Sequence, residues 1–143
     1  MMDEKIKSIL GNAKTIAIVG ISNKVERDSY KVAHYLQQQG YRVIAINPVI
    51  AGTMVLGEMC YANLIEAKKQ TKIEIDIVDC FRKTEDIMPI AMEAIQIKAK
   101  CLWQQLGVLN ESASKIAEEH GLLAIMNKCS KIEHKKFFIN TLL

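Results

Sequence analysis

The loop after the first apolar run has the residue types of an anion-binding site. Gly20 ends the run, the small polar residues Ser22 and Asn23 follow, and Lys24 and Arg27 precede a helical segment. Free backbone N–H groups and the dipole at a helix N-terminus favour a phosphate. The full Gly-x-Gly-x-x-Gly pattern of dinucleotide-binding proteins is absent, and so is a P-loop. The loop therefore predicts phosphate binding without the usual NAD signature.

The end of the second apolar run discriminates between nucleotide ligands. NAD-binding proteins carry Asp or Glu there, which holds the ribose hydroxyls. This chain has Asn47-Pro48 instead. A carboxylate would repel a phosphorylated ribose, so a neutral residue with basic neighbours suits NADP or coenzyme A. A simple Asn-Pro turn accounts for the same two residues equally well.

One cysteine differs from the other three in its predicted surroundings. Cys129 follows the fifth apolar run on the predicted ligand side, and the neighbouring Lys128 and Lys131 favour its thiolate form. We predict that it exchanges with a thiol or disulfide, and a packed cysteine is the alternative. The three histidines come with no Ser or Cys plus carboxylate arrangement, so the sequence favours binding over catalysis.

Five short apolar runs and the amphipathic segments between them must position these residues. The runs predict parallel strands at Thr15 to Gly20, Tyr41 to Asn47, Ile75 to Phe81, Cys101 to Gly107 and Leu122 to Asn127. The intervening segments predict helices at 3–10, 29–39, 62–70, 89–98 and 111–120. Right-handed crossovers then give a Rossmann-like, doubly wound α/β sheet of five strands in the order 3-2-1-4-5, with helices on both faces.

The predicted strand order also predicts where a ligand binds. Ligands of doubly wound sheets lie outside the carboxyl ends of the strands, at the point where the strand order reverses. Here that point falls between predicted strands one and four. We therefore expect the loop after Gly20 to meet the segment from Gln105 to Gly107.

Length and composition exclude several classes of protein. A chain of 143 residues suits one domain, here 1–143 with its core at about 15–134. A net charge of +3 is too mild for a nucleic-acid binder, and no apolar stretch is long enough for a membrane span. Four cysteines without close pairs suit a reducing cytoplasm. The apolar C-terminal residues Phe137, Phe138, Leu142 and Leu143 would dock on the domain or on a partner, such as a second copy in a homodimer.

Several motifs together resemble a known family. The segments TIAIVGIS, RDSYKVA, GYRVIAINP, IDIVDCFRKTED, LWQQLGV and KCSKIEH occur in this order over about 15–134. They resemble the small CoA-binding-domain family, which is similar to the N-terminal domain of the succinyl-CoA synthetase α subunit. The resemblance implies that adenine and phosphates lie near the first two strand ends, with the pantetheine arm crossing toward the fourth. The loop at 49–57 departs from the family pattern.

The resemblance also implies a set of cofactor-binding residues. Phe81 would offer a ring for packing, and Arg82 a guanidinium fork for phosphate. The whole predicted set is Gly20, Ile21, Ser22, Asn23, Lys24, Arg27, Asn47, Pro48, Phe81, Arg82, Gln105, Gly107, Cys129 and Lys131. We expect non-catalytic binding of coenzyme A or an acyl-CoA. The alternatives are an NADP-binding reductase-like protein and an acyl-CoA transferase or thioesterase that uses Cys129.

Overall fold

The computed structural model describes residues 1–139. The strands are β1 (Thr15–Val19), β2 (Arg42–Ile46), β3 (Met54–Val55), β4 (Glu58–Tyr61), β5 (Ile77–Cys80), β6 (Cys101–Gln104) and β7 (Leu123–Ile125). The helices are α1 (Met2–Asn12), α2 (Asp28–Gln38), α3 (Leu64–Thr71), α4 (Ile87–Gln96), α5 (Glu111–Glu119) and α6 (Ser130–Phe138), with a 3₁₀ turn at Thr84–Asp86. Within this described part, no helix is both long and apolar enough to cross a bilayer.

The strands form one sheet in the order β3-β4-β2-β1-β5-β6-β7. All neighbours are parallel except β3 and β4, which form an antiparallel hairpin at the edge. The predicted Rossmann-like α/β fold with a parallel sheet is therefore confirmed. The predicted number of five strands and the order 3-2-1-4-5 are wrong.

The error in strand order comes from the hairpin at β3 and β4. The predicted third strand is β5, and it pairs with β1 on the side away from β2. The place beyond β2 belongs to β4, which is only four residues long and carries the exposed Met59. So short and half-exposed a strand lacks the apolar run that marks a buried one. Without β3, the remaining six strands have the order 3-2-1-4-5-6 of dinucleotide-binding domains.

Both faces of the sheet are covered by helices, as a parallel sheet requires. Along β1, Ile16 and Ile18 face the layer of α1, α2 and α6, whereas Ala17 and Val19 face the layer of α3, α4 and α5. All five residues of β1 are buried. Trp103 is a fully buried core residue, and its indole N–H donates to the Lys128 carbonyl oxygen at 2.8 Å. The strand ends are therefore held by packing on both sides.

Helix α6 differs from the prediction for its segment. The basic residues that alternate with Ile132 and Glu133 between Lys128 and Lys136 predict a solvated helix, but Ser130, Glu133 and His134 are buried. The His134 Nδ1 and the Tyr35 hydroxyl of α2 are hydrogen-bonded at 2.7 Å. Because polar side chains make up the packed face, hydropathy alone does not reveal it. A Cβ added at Gly11 of α1 would lie 3.6 Å from the Phe138 ring, while Leu142 and Leu143 lie outside the described residues.

Candidate ligand-binding site

The strand order reverses between β1 and β5, where Gly20 meets the end of β5. Gly20 has φ +90°, and a Cβ there would lie 2.5 Å from the Phe81 carbonyl oxygen and 2.8 Å from Arg82 Cδ. Any side chain would therefore clash with backbone as well as adopt a left-handed conformation. The sequence predicts the reversal between β1 and the strand at β6, whereas the structure puts Phe81 and Arg82 beside Gly20.

The loop from Gly20 to α2 is held by its own backbone and two serines. The Ser22 N–H donates to Ser29 Oγ at 2.9 Å, and the Lys24 N–H donates to Ser22 Oγ at 3.0 Å. Ile21 is buried and anchors the loop, while Asn23, Lys24 and Arg27 are exposed. Arg27 is the N-cap of α2, and its side chain makes no capping hydrogen bond. The first turn of α2 thus keeps backbone N–H groups and two cations for an anion.

Asn47 joins this loop to the end of β2. Its Nδ2 donates to the Ile21 carbonyl oxygen at 2.8 Å, and its Oδ1 accepts from the Val49 N–H at 2.9 Å. The second bond is the Asx turn that an Asn-Pro pair favours. The Asn47 side chain therefore has a structural role in both loops, and a contact between Asn47 and a ribose phosphate stays a prediction.

A first cleft, here named the switch-point cleft, lies at the ends of β1, β2 and β5. Its volume is about 320 Å³, and Gly20, Pro48 and Arg82 are among its lining residues. Three carboxylates also line it, from Glu85, Asp86 and Glu93, and Asp86 Oδ2 lies 3.8 Å from Arg82 Nη2. With more carboxylates than cations, this cleft suits a neutral group better than several phosphates.

A second cleft, here named the Cys129 cleft, lies between α2 and α6. Its volume is about 370 Å³, and it is lined by Asp28, Lys31, Val32, Phe81, Gln105, Leu106, Cys129, Lys131 and Ile132. Leu106 is 60% exposed and Ile132 is 54% exposed, so apolar surface faces this opening. Phe81 lines the Cys129 cleft, and the next residue, Arg82, lines the switch-point cleft. The end of β5 thus stands between the two clefts.

The loops after β6 and β7 hold each other and fix the start of α6. The Gly107 N–H donates to Asn127 Oδ1 at 2.7 Å, and the Asn127 N–H donates to the Val108 carbonyl oxygen at 3.2 Å. Two residues later, Cys129 is the N-cap residue of α6 and is half-buried. The N–H of Gly107, a predicted cofactor-binding residue, is therefore already bonded within the protein, and a ligand amide would compete with Asn127 for it.

The four cysteines differ in exposure. Cys60, Cys80 and Cys101 are buried, and burial raises the thiol pKa of Cys60 and lifts those of Cys80 and Cys101 well above the usual range. Cys129 is the one of the four that is partly exposed, and it lines the Cys129 cleft. The thiolate is the reactive form of cysteine, so exposure and low thiol pKa decide which one reacts. The structure therefore leaves Cys129 as the cysteine that a ligand can reach.

A buried polar cluster beside the Cys129 cleft was missed by the sequence reasoning. Gln105 Nε2 donates to Asp79 Oδ1 at 2.6 Å and to Ser130 Oγ at 2.9 Å, and Ser130 Oγ donates to Asp79 Oδ2 at 2.6 Å. Burial raises the pKa of Asp79 to about 7, although the bonds from Gln105 and Ser130 act to lower it. The sequence does show one sign of this cluster, which is the carboxylate of Asp79 inside an otherwise apolar strand. The partner Ser130 has no sequence signal.

Comparisons with known proteins agree with this geometry. Residues 14–135 match the family described as CoA binding domain. The uncharacterized protein YneT of Bacillus subtilis is 35% identical over 130 residues, which are 91% of this chain and 92% of YneT. A hypothetical protein from Pyrococcus horikoshii OT3 superposes with a TM-score of 0.88 at 38% identity, covering 96% of this chain and 92% of that one. The protein cell-free ID.343 from Thermus thermophilus gives 0.89 at 32% identity, covering 96% and 100%.

Proposed function

Because the chain belongs to the CoA-binding-domain family, we propose that it binds coenzyme A or an acyl-CoA without catalysing a reaction. The observation that carries this proposal is the pair of clefts on the two sides of the end of β5, one lined by Phe81 and the other by Arg82. Coenzyme A has a compact nucleotide and a long thiol-bearing arm, so it needs two adjoining sites of different character. Each cleft has the size of a subsite, and the two together fall in the range of small-molecule sites.

The nucleotide half belongs at the ends of β1 and β2 in this proposal. The switch-point cleft takes the adenine, since its acidic lining disfavours phosphates. The phosphates lie on the loop from Gly20 to Arg27, where Lys24 and Arg27 are exposed and the first turn of α2 is uncapped by side chains. Asn47 and Pro48 border the ribose phosphate. Ionic contacts of this kind weaken as the salt concentration rises.

The pantetheine arm belongs in the Cys129 cleft. Leu106 and Ile132 offer apolar surface to its dimethyl group, and Lys131 lies at the same opening. The end of the arm then approaches Cys129. With oxidised CoA, the Cys129 thiolate attacks one sulfur of the CoA disulfide. A Cys129–CoA disulfide forms, the original S–S bond breaks, and one CoA thiolate leaves, so electrons balance without another oxidant.

Thermal denaturation with four ligands tests the binding proposal. We expect CoA and acetyl-CoA to stabilise the protein by about 2.7 kcal/mol at a hundred times their Kd, which is a shift of several degrees. Dephospho-CoA should stabilise less, because it lacks the 3′-phosphate. An equal response to CoA and dephospho-CoA would contradict the role of Asn47 and Pro48. Stabilisation by NADP and none by CoA would instead support the reductase-like alternative.

Charge variants locate the phosphates. The double variant Lys24→Ala, Arg27→Ala should bind CoA at least tenfold more weakly, because two cations near the phosphates are lost. Lys115→Ala is the matched control, since Lys115 is exposed on α5 and lines neither cleft. Isothermal titration calorimetry gives both affinities. Unchanged affinity in the double variant would remove this loop from the site.

Mass spectrometry tests the disulfide exchange. After incubation with oxidised CoA, we expect one CoA adduct on Cys129 and none on the three buried cysteines. Cys129→Ser should take no adduct and still bind CoA in calorimetry. No adduct on the wild type, or an adduct on Cys60, would contradict the exchange. Release of CoA from acetyl-CoA that depends on Cys129 would support the transferase or thioesterase alternative.

A further inference from the structure

The buried cluster of Asp79, Gln105 and Ser130 connects three segments that line the Cys129 cleft. Asp79 lies in β5, Gln105 follows β6, and Ser130 begins α6. The cleft is lined by Gln105 itself and by residues next to the cluster in sequence: Phe81 two after Asp79, Leu106 after Gln105, and Cys129 before Ser130. Each hydrogen bond of the cluster therefore joins two walls of the cleft.

The hydrogens of this cluster match an ionised carboxylate. Gln105 supplies two N–H donors and Ser130 one O–H donor, and these three reach Asp79 Oδ1, Ser130 Oγ and Asp79 Oδ2. A protonated Asp79 would bring a fourth hydrogen to the ring. Ser130 would then have to turn its own hydrogen away, and its bond to Asp79 Oδ2 would change direction. The directions of the three hydrogen bonds therefore match a negatively charged Asp79, and protonation would change the bond between Ser130 and Asp79.

The free-energy cost of burying the Asp79 carboxylate without a cation points to a function. Asp79 is 0% exposed, and no Lys, Arg or His of residues 1–139 lies within ion-pair distance of its carboxylate. A buried charge without a cation destabilises a fold, and apolar residues of similar volume are often more stable there. Groups retained at such a cost cluster at binding and catalytic sites.

We propose that Asp79 is a positioning residue for the thiol arm of the ligand, acting through Gln105 and Ser130 without touching the ligand. This inference rests on the proposed binding of coenzyme A. The cluster holds the walls of the Cys129 cleft in place, so its loss weakens binding of the pantetheine arm. The nucleotide half binds at the ends of β1 and β2, whose loops receive no side-chain hydrogen bond from the cluster, so we expect its affinity to be independent of Asp79.

Because the cluster matches a charged Asp79, its role in ligand binding should depend on pH. Because burial raises the pKa of Asp79 to about 7, the carboxylate takes up a proton as the pH falls from 8 to 6, and the hydrogen of Ser130 must turn away from Asp79 Oδ2. The titratable groups coupled to Asp79 are Cys80 and Cys101, whose thiol pKa values are raised well above the usual range, so both thiols stay neutral. The charged residues of α2 and α6 that line the cleft are Asp28, Lys31 and Lys131.

Calorimetry with two ligands separates the arm from the nucleotide. Coenzyme A carries both parts, and adenosine 3′,5′-bisphosphate carries the nucleotide half without the arm. For Asp79→Asn and Ser130→Ala at pH 8, we expect CoA affinity to fall at least tenfold and bisphosphate affinity to change less than twofold. Wild-type CoA affinity should fall between pH 8 and pH 6, and that of Asp79→Asn should not.

Two further variants control for a merely structural effect. Ser114→Ala removes a buried serine that accepts from Gln104 Nε2 at 2.7 Å on the opposite face of the sheet, and it should leave both affinities unchanged. Ser130→Thr keeps the hydroxyl and should keep tight CoA binding. If Asp79→Asn fails to fold, the comparison of Ser130→Ala with Ser130→Thr still tests whether the hydroxyl bonded to Asp79 supports CoA binding. Equal losses for both ligands, or no loss of CoA affinity, would overturn the inference. Wild-type protein that binds neither ligand would overturn the proposed function itself.

Discussion

The two halves of the sheet's carboxyl edge are held by different means. At β1 and β2, backbone contacts fix the loops: Gly20 lies against the Phe81 carbonyl oxygen, and Asn47 bridges to Ile21 and Val49. At β5 and β6, a buried ring of side chains joins Asp79 to its two partners. Added side-chain volume should therefore disturb the half at β1 and β2, whereas a change of charge should disturb the half at β5 and β6. A ligand that spans both would be held by a rigid nucleotide site and a proton-dependent arm site.

The largest expected effect concerns the charge-sensitive half. The pKa of Asp79 is about 7 in the folded protein and about 3.9 in an unfolded chain, so folding favours the protonated form. The stabilisation linked to that proton is complete below pH 4 and is lost as the pH rises through 7. Relative to Asp79→Asn, the wild type should lose on the order of 4 kcal/mol between pH 4 and pH 8.

Urea denaturation of both proteins at each pH measures this difference. Subtracting the two curves removes the contribution of other groups, including His134, whose pKa is lowered by burial and whose stabilisation is lost toward low pH. A constant difference from pH 4 to pH 8 would show that Asp79 does not titrate in this range. The half at β5 and β6 would then depend no more on charge than the half at β1 and β2.

The second effect concerns the volume-sensitive half. Gly20→Ala should cost about 3 kcal/mol of unfolding free energy, because a left-handed backbone and a clash with the Phe81 carbonyl oxygen add together. Gly121→Ala is the control, since Gly121 has φ +86° with nothing within 4 Å of an added Cβ. It should cost about 1 kcal/mol. Equal losses in the two variants would mean that the contact with β5 relaxes easily.

The smallest effect concerns the bridge between the first two loops. Asn47→Ala removes the bonds to Ile21 and Val49 and should cost about 1 kcal/mol, since water can replace part of them. Asn23→Ala in the same loop should stay within about 0.5 kcal/mol, because Asn23 is exposed. Urea denaturation measures both. A loss from Asn23→Ala as large as that from Asn47→Ala would contradict the assigned role of Asn47.

The sequence predicted the parts of the fold that depend on continuous apolar runs. The cores of β1, β2, β5, β6 and β7 lie inside the predicted runs, and Gly20 marks the end of the first. The edge hairpin was missed because β3 and β4 bury little on either side. That omission moved the predicted strand reversal, so Gln105 was expected beside Gly20, where the structure has Phe81 and Arg82. Local patterns predict elements, but the order of strands depends on every strand being counted.

The candidate site also combines residues that the sequence indicates with contacts that it does not. Loop residues that act through backbone and charge, such as Ser22, Lys24 and Arg27, follow from their position between a strand and a helix. The contacts of Asp79 with Gln105 and Ser130 could not be predicted, because both partners are far from it in sequence and their local motifs do not indicate which residue they meet. Buried polar partners depend on tertiary contacts, which periodicity does not encode.

The short strands at both margins of the sheet have a consequence for association. β3 has two residues and β7 has three, so each margin offers an incoming strand only a few backbone hydrogen bonds. Long unpaired margins are the usual templates for fibrous aggregation, and short ones suppress it. The margins of the described sheet therefore disfavour strand-to-strand polymerisation.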